Sequence, residues 1–560
     1  MKKRIKLFTL LPLVASCLAA TGCSLLDKNA KTYYFQNLSP DFQITTKKMK
    51  LFFPDGGNVP YVDIAKFVKD LRGYLISDYI SVEKDIIKKK MTMSFLIYGS
   101  IEIDWENDVI RGDSQFFSII AMTSLSTDYS SNFKQNKDES DASQIRQLNF
   151  KLSDYGFDIK YENNKVLVPL VIANILFCSQ NYYNVFFNGD KLYGAFGEVS
   201  DDQAITLIKL ITPMCGTEIP EDVSNATLNS LAFLLDYFYG LKEIKGYTKA
   251  IDYIDANTKA LITSPVGANN YRGLTDFVFK TLNDLHSRVD FGTYYMDRDD
   301  STNVPLAKRG TKWNTYYDLR NNLTAKRNAA EIEPEINPLR FSGDTAIITF
   351  DSFVTGTKDQ LNRASAWQYD TYKLMQYCMT RIKARDEVKD IVVDLSLNGG
   401  GNLAALIRFL GFITDDDVFY SIHNTLNNTY ERAGFLIDTD EDGKYEGDAY
   451  NDYTWTILAG ENTFSAANLA VSIVQEQGIA KVIGQKSGGG MCAVMPTVLA
   501  DGTALTISST MTLRQVRKED GKNVYYPIED GLDPDYEVEY ANFYDDNKIV
   551  EAVDAVHRGN

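Results

Sequence analysis

Two distant segments of this chain carry groups that acyl-transfer chemistry needs side by side. One is Asp394-Leu395-Ser396-Leu397-Asn398-Gly399-Gly400-Gly401; the other is Glu461-Asn462-Thr463-Phe464-Ser465-Ala466-Ala467-Asn468. Each reads as a strand, a tight turn and a helix start. Glycines at 399–401 let backbone amides point outward unobstructed by side chains. Such amides, aimed at an oxyanion, are worth roughly 3–4 kcal/mol per donor. Ser465 falls at a helix N-terminus, where the dipole and free N–H groups favour negative charge. Gly399 or Gly400, with Ala466, therefore form a candidate oxyanion hole around a candidate nucleophile, Ser465. Taken singly, the first segment is a tight connection and Ser465 a helix cap; together, in this order, they favour an enzyme.

A serine nucleophile needs a base, and the chain has three histidines, His286, His423 and His557. His557 lies near the end and reads as frayed. His423 sits in an apolar-polar stretch and reads as structural. His286 closes a helix and opens a β-like stretch at 287–294, in the context Leu282-Asn283-Asp284-Leu285-His286-Ser287.

The elements that must position these groups follow from periodicity. From Phe341 onward, 346–350, 391–394, 456–459 and 481–484 read as strands and 364–385 as a helix. Leu403, Leu406, Ile407 and Leu410 mark an amphipathic helix, as do Leu469, Ala470, Ile473 and Val474, which stop at Gly478. Alternating β and α elements argue for a layered sheet with helices packed on it, and ligands collect at the carboxyl ends of such strands, where both turns fall.

At 560 residues the chain is expected to form more than one domain. We expect an N-terminal α+β domain over 38–197, a helical segment over 201–337 carrying His286, and an α/β catalytic core over 338–560. In the first, 58–62 before Ile64 and 167–171 before Ile172 suggest a duplicated unit, and 126–143 reads as a surface loop. In the second, Leu228, Leu231, Leu234, Leu235 and Phe238 mark one helix face, with further helices near 273–285 and 313–329.

Lys2, Lys3, Arg4 and Lys6 precede an apolar stretch at 7–20, too short to span a membrane comfortably. Ala20-Thr21-Gly22-Cys23 resembles a bacterial lipobox. The expectation is a lipoprotein signal peptide over 1–22, lipidation at Cys23, and a tether over 23–37. That puts the body on the extracytoplasmic face of a bacterial cell membrane. A net charge of −17 without a basic patch argues against nucleic acid as a partner. Cys178, Cys215, Cys378 and Cys492 show no metal-ligand spacing and read as free thiols, with disulfides left open for an exported chain. Asp438, Asp440 and Asp442 begin like an EF-hand loop, but its twelfth position is Ala449. A solvated acidic hairpin is the reading, with calcium as the alternative. No cofactor is expected.

Three motifs in order resemble the tail-specific, or C-terminal-processing, serine peptidase family. Asp394 to Gly401 resembles its Asp-Leu-Arg-x-Asn-Gly-Gly-Gly motif, with Ser396 in place of Arg. Thr463-Phe464-Ser465-Ala466-Ala467-Asn468 resembles its nucleophile motif, with Asn468 where Glu is common. Gly531-Leu532-Asp533-Pro534-Asp535 resembles its Gly-Val-x-Pro-Asp terminus. The resemblance implies a crotonase-like, ClpP-like α/β core. Family members with a Ser-Lys dyad carry a lysine where this chain has Gly490; Lys486 is the nearest alternative base. A second branch, including the tricorn core and resembling retinoid-binding repeats, has an upstream Asp-x-His-Ser/Thr segment, which Asp284-Leu285-His286-Ser287 matches. That branch also places a glutamate before the terminal motif, and Glu529 stands one residue nearer the glycine. The resemblance thus implies Ser465 as nucleophile, His286 as base and Glu529 as the group that orients it, acting on a peptide or protein substrate. The stretch between His286 and Phe341 is too short for the PDZ domain that many members insert. The competing expectation is a catalytically inactive relative serving as a surface binding protein. Oligomeric state is not legible.

Overall fold

Strands Thr345–Thr349 and Asp390–Asp394 are buried at all five positions, as near-continuous apolar runs are when a parallel sheet is covered on both faces. They belong to a six-stranded sheet with the order Leu339–Ser342, Thr345–Thr349, Asp390–Asp394, Thr454–Ala459, Lys481–Gly484, Tyr536–Glu537. The first pairing is antiparallel and the rest are parallel. Side chains alternate between faces. Ile347, Val392, Leu458 and Ile483 pack with Leu323 of helix Thr311–Ala329 and with Ile549 and Val553 of helix Asp546–Arg558. Ile348, Val393 and Ile457 join the opposite core, to which helices Thr371–Ile382, Leu403–Leu410 and Ala466–Gln477 contribute Met375, Leu406 and Leu469. The computed structural model describes residues 29–122, 132–197, 212–297, 305, 308–445, 447 and 449–559.

A second, antiparallel sheet gathers strands from three parts of the chain. Its backbone is the long strand Ala504–Glu519, which pairs with Arg288–Phe291, Val418–Asn424, Cys492–Val498 and Lys522–Pro527. Val418–Asn424 pairs onward to Thr429–Ile437, and that to Phe133–Asp138. This corrects two expectations. Part of the 126–143 loop is an edge strand, and the 38–197 region is not self-contained, because its residues complete a sheet of the C-terminal half. The exposed pattern of Phe133–Asp138 explains the miss: its pairing is made by backbone, with little apolar signal.

The N-terminal region holds a seven-stranded sheet and a five-stranded antiparallel one. Ala30–Asn37 is a strand in the former, paired with Lys48–Phe52 and Lys191–Phe196. Residues 30–37 of the expected 23–37 tether are therefore strand, and 23–28 lie outside the described residues. The two similar stretches are strand-to-helix units, Tyr61–Asp63 into Ile64–Asp70 and Lys165–Pro169 into Leu170–Phe177, and their strands pair antiparallel. Residues 1–28, with the signal and Cys23, lie outside the described residues, as do 201–211 of the helical segment. No helix among the described residues is long and apolar enough to cross a membrane.

Candidate functional site

Strands Asp390–Asp394 and Thr454–Ala459 are parallel neighbours, so their carboxyl ends release two turns side by side. The turns are stitched together. Thr463 Oγ1 donates to the Leu395 carbonyl at 2.7 Å, and the Phe464 N–H donates to the Asn398 carbonyl at 3.0 Å. Gly400 has φ +104°, and a Cβ there would lie 2.8 Å from the Ser465 Cβ and 2.9 Å from the Ala466 nitrogen. Only glycine fits this close approach. Ser465 itself has φ 56° and ψ −119° at the N-cap of helix Ala466–Gln477. A serine held in this sparsely populated region costs on the order of 1–3 kcal/mol and persists where its surroundings over-determine it. Here its N–H donates to the Gly489 carbonyl at 2.9 Å, and its own carbonyl accepts from the Leu469 N–H at 2.9 Å.

His286 is buried. Asn283, with φ 45°, ends the preceding helical segment and turns the chain. Asp284 then fixes the next residues: one carboxylate oxygen accepts the His286 N–H at 3.1 Å and the other the Ser287 hydroxyl at 2.6 Å. The imidazole lies 4.6 Å, centroid to centroid, from the ring of Phe464, the residue before Ser465. Glu529 is buried and accepts the Met491 N–H at 3.0 Å, with the Lys312 ammonium 3.5 Å from its other oxygen. Burial, with the charge of Asp284 beside it, pushes its carboxyl up to about 7, against the opposing pull of Lys312 and the Met491 amide. Leu285, Lys312, Phe464, Lys486, Gly488 and Glu529 all line one cleft of about 410 Å³.

Two expectations change in detail. The Gly399 N–H donates to the Asp351 carbonyl at 3.2 Å and the Gly400 N–H to Asn398 Oδ1 at 2.9 Å, so both glycine amides are engaged within the turn. The Ala466 N–H belongs to the first helical turn, which offers it no intrahelical acceptor. A side chain at position 490 has no room: a Cβ on Gly490 would meet the Phe464 ring at 2.4 Å. Lys486 is exposed on the cleft wall. His557 is not frayed; it sits in helix Asp546–Arg558 and its Nε2 lies 2.9 Å from Thr456 Oγ1. His423 stacks on Tyr430 at 4.3 Å in the second sheet, between Asn428 and Arg514.

Sequence reasoning missed a buried polar clasp behind the Ser465 helix. Asn468 donates to the Ile528 carbonyl at 2.9 Å and accepts the Ser487 hydroxyl at 2.7 Å. It ties the Ser465 helix to the 487–490 turn and to the segment that delivers Glu529. Its only signal was its place in the motif, where Glu is common. Ser396, in the arginine position, pairs with the Tyr544 hydroxyl at 3.0 Å. The described cysteines, Cys178, Cys215, Cys378 and Cys492, are all free thiols. Ligand atoms of Asp438, Asp440 and Asp442 cluster within 4.8 Å. Their oxygens already accept N–H groups of Glu441, Gly443, Asp442 and Lys444, as a self-closed acidic turn does.

Residues 344–538 match the model of peptidase family S41, a span that holds both turns, Ser465 and the Gly531 terminus. This is the tail-specific serine peptidase family that the motifs resemble. No curated protein matches the chain. Among solved structures, it is similar to a lipoprotein from Streptococcus agalactiae, at 16% identity over 60% of this chain and 97% of that one, TM-score 0.36. Mature CPAF is 12% identical over 60% and 98%, TM-score 0.39. The tricorn protease is 17% identical over 43% and 19%, TM-score 0.24.

Proposed function

We propose that this chain is a lipid-anchored, extracytoplasmic serine peptidase of the His-based branch, with a crotonase-like core and no PDZ domain. It hydrolyses peptide bonds through an acyl-enzyme. The observation that carries the reading is the conformation of Ser465: a strained serine at a helix N-terminus, pressed against a glycine that tolerates no side chain. Ser465 Oγ attacks the scissile carbonyl while His286 takes its proton. The proton then passes to the leaving amine, and water repeats the cycle on the acyl-enzyme. Glu529 stabilises the imidazolium and holds its orientation. The Ala466 N–H receives the oxyanion; Gly399 or Gly400 joins it by exchanging the turn's own acceptor for the substrate oxygen, a tightening that resting active sites commonly await.

The test is covalent labelling by a fluorophosphonate or chloromethyl ketone. Labelling that survives Ser465→Ala refutes the assignment. A chain active with His286→Ala but dead with Lys486→Ala uses a lysine base instead. The engaged Gly399 and Gly400 amides favour one other reading, an inactive relative that binds peptides; it predicts no labelling of the wild-type chain together with measurable peptide binding.

A further inference from the structure

A second cavity, of about 320 Å³, is lined by Phe350, Val354, Trp367, Tyr369 and Leu374. It stands beyond the carboxyl end of strand Thr345–Thr349, whereas the first cleft stands beyond Thr454–Ala459 and Lys481–Gly484. The strand carrying the glycine turn lies between them in the sheet. The glycine turn therefore lies between the strand ends that border the two cavities. The connection is direct. The Asp351 carbonyl accepts the Gly399 N–H at 3.2 Å, and the Gly400 carbonyl accepts both the Phe353 N–H at 2.8 Å and the Ser352 hydroxyl at 3.1 Å.

The two cavities differ in chemistry. The first presents Lys312, Lys486, Glu461, Glu529 and Asp530. In the second, two of the three carboxylates are already committed. Arg327 clamps Asp351 with two hydrogen bonds, 2.7 and 2.8 Å, and Asp370 accepts the Gly356 and Lys373 N–H groups. Glu335 stands exposed at the rim. The apolar part of the lining includes Trp367, stacked on Tyr377 at 4.8 Å, and Val354, which is 38% exposed. A concave surface that is mostly apolar, with Glu335 held to the rim, selects apolar side chains.

We propose that this cavity is a substrate subsite that takes one large apolar or aromatic side chain of the peptide cleaved at Ser465. The inference rests on the peptidase reading and adds its specificity. The substrate lies extended across the strand ends, with one apolar side chain past the glycine turn and polar residues along the first cleft.

The test is a peptide series in which Phe, Leu or Ala is placed at each position around the cleaved bond, assayed on the mature chain and on Val354→Glu and Trp367→Ala. Wild type should prefer Phe or Leu over Ala at one position by about tenfold or more in kcat/KM. Both variants should reduce that preference to about twofold through KM, while still reacting with a small fluorophosphonate that reports an intact Ser465. Val354 is exposed, so its variant folds even where Trp367→Ala does not. A uniform loss across all peptides, or an unchanged preference, overturns the proposal. Failure of the peptidase reading shows separately, as a wild-type chain that never labels. Fluorescence anisotropy of the same peptides then decides: selective binding of Phe peptides that Val354→Glu removes supports the subsite, and equal binding overturns it.

Discussion

Glu529→Gln gives the most direct measure of the charge balance in the cleft. The Glu529 carboxyl is pushed up to about 7 from a usual 4.5, first by burial and then by Asp284. A tenfold change in proton affinity is worth about 1.4 kcal/mol, so the gap corresponds to on the order of 3 kcal/mol. The sign follows from proton counting. Between about pH 4.5 and 7 the folded chain holds a proton that the unfolded chain has released, so stability falls as pH rises through that window. Below it both states are protonated and nothing is lost. Glutamine cannot titrate, yet its amide oxygen still accepts the Met491 N–H. It also forfeits the pair with Lys312, a half-exposed lysine whose contribution is under about 1 kcal/mol. The unfolding free energy of the variant should therefore gain on wild type by roughly 2–3 kcal/mol between pH 4.5 and 8. Urea denaturation followed by tryptophan fluorescence at several pH values measures it. A difference that stays flat across the window, or that moves the other way, means Glu529 is ionised in the resting protein, and the reasoning fails. In the same pH series, wild-type kcat/KM should climb as Glu529 ionises through about 7, and the variant should lose that limb along with most of its rate.

Three further outcomes follow from the geometry. Ser465→Gly should be more stable than Ser465→Ala by about 1 kcal/mol, because only glycine relieves the backbone strain; equal melting temperatures would remove the strain argument. Gly490→Ala should cost on the order of 2–4 kcal/mol, since its methyl runs into the Phe464 ring at positive φ. It should also slow labelling by moving that ring off His286, and an unperturbed variant would contradict the packing. Chelation should leave the melting temperature unchanged, as the Asp438 loop closes on its own N–H groups; a drop would mean that calcium holds it.

Much of the core was legible. The apolar run 391–394 and the motif glycines place the turns at the strand ends, because burial on both faces leaves an unambiguous hydrophobic signal. The Ser465 helix announced itself by its periodicity and by Gly478. Other features left no such trace. Strand Phe133–Asp138 is polar and exposed, and its partner lies nearly 300 residues on, so neither alternation nor proximity reveals it. The Asn468–Ser487 clasp depends on a side chain reaching across from one turn to another. That Asn398 holds the Gly400 amide is likewise invisible in a motif whose glycines suggest freedom.

The strand Phe133–Asp138, laid along the outer margin of the antiparallel sheet, has a consequence for how the chain can be divided. A fragment starting after residue 197 would bare the rim of Thr429–Ile437, including the apolar Phe435, to any passing strand. Such an uncovered margin invites self-association. The leading third of the chain therefore covers an open edge of the half that holds Ser465, and the two are better expressed and engineered as one piece.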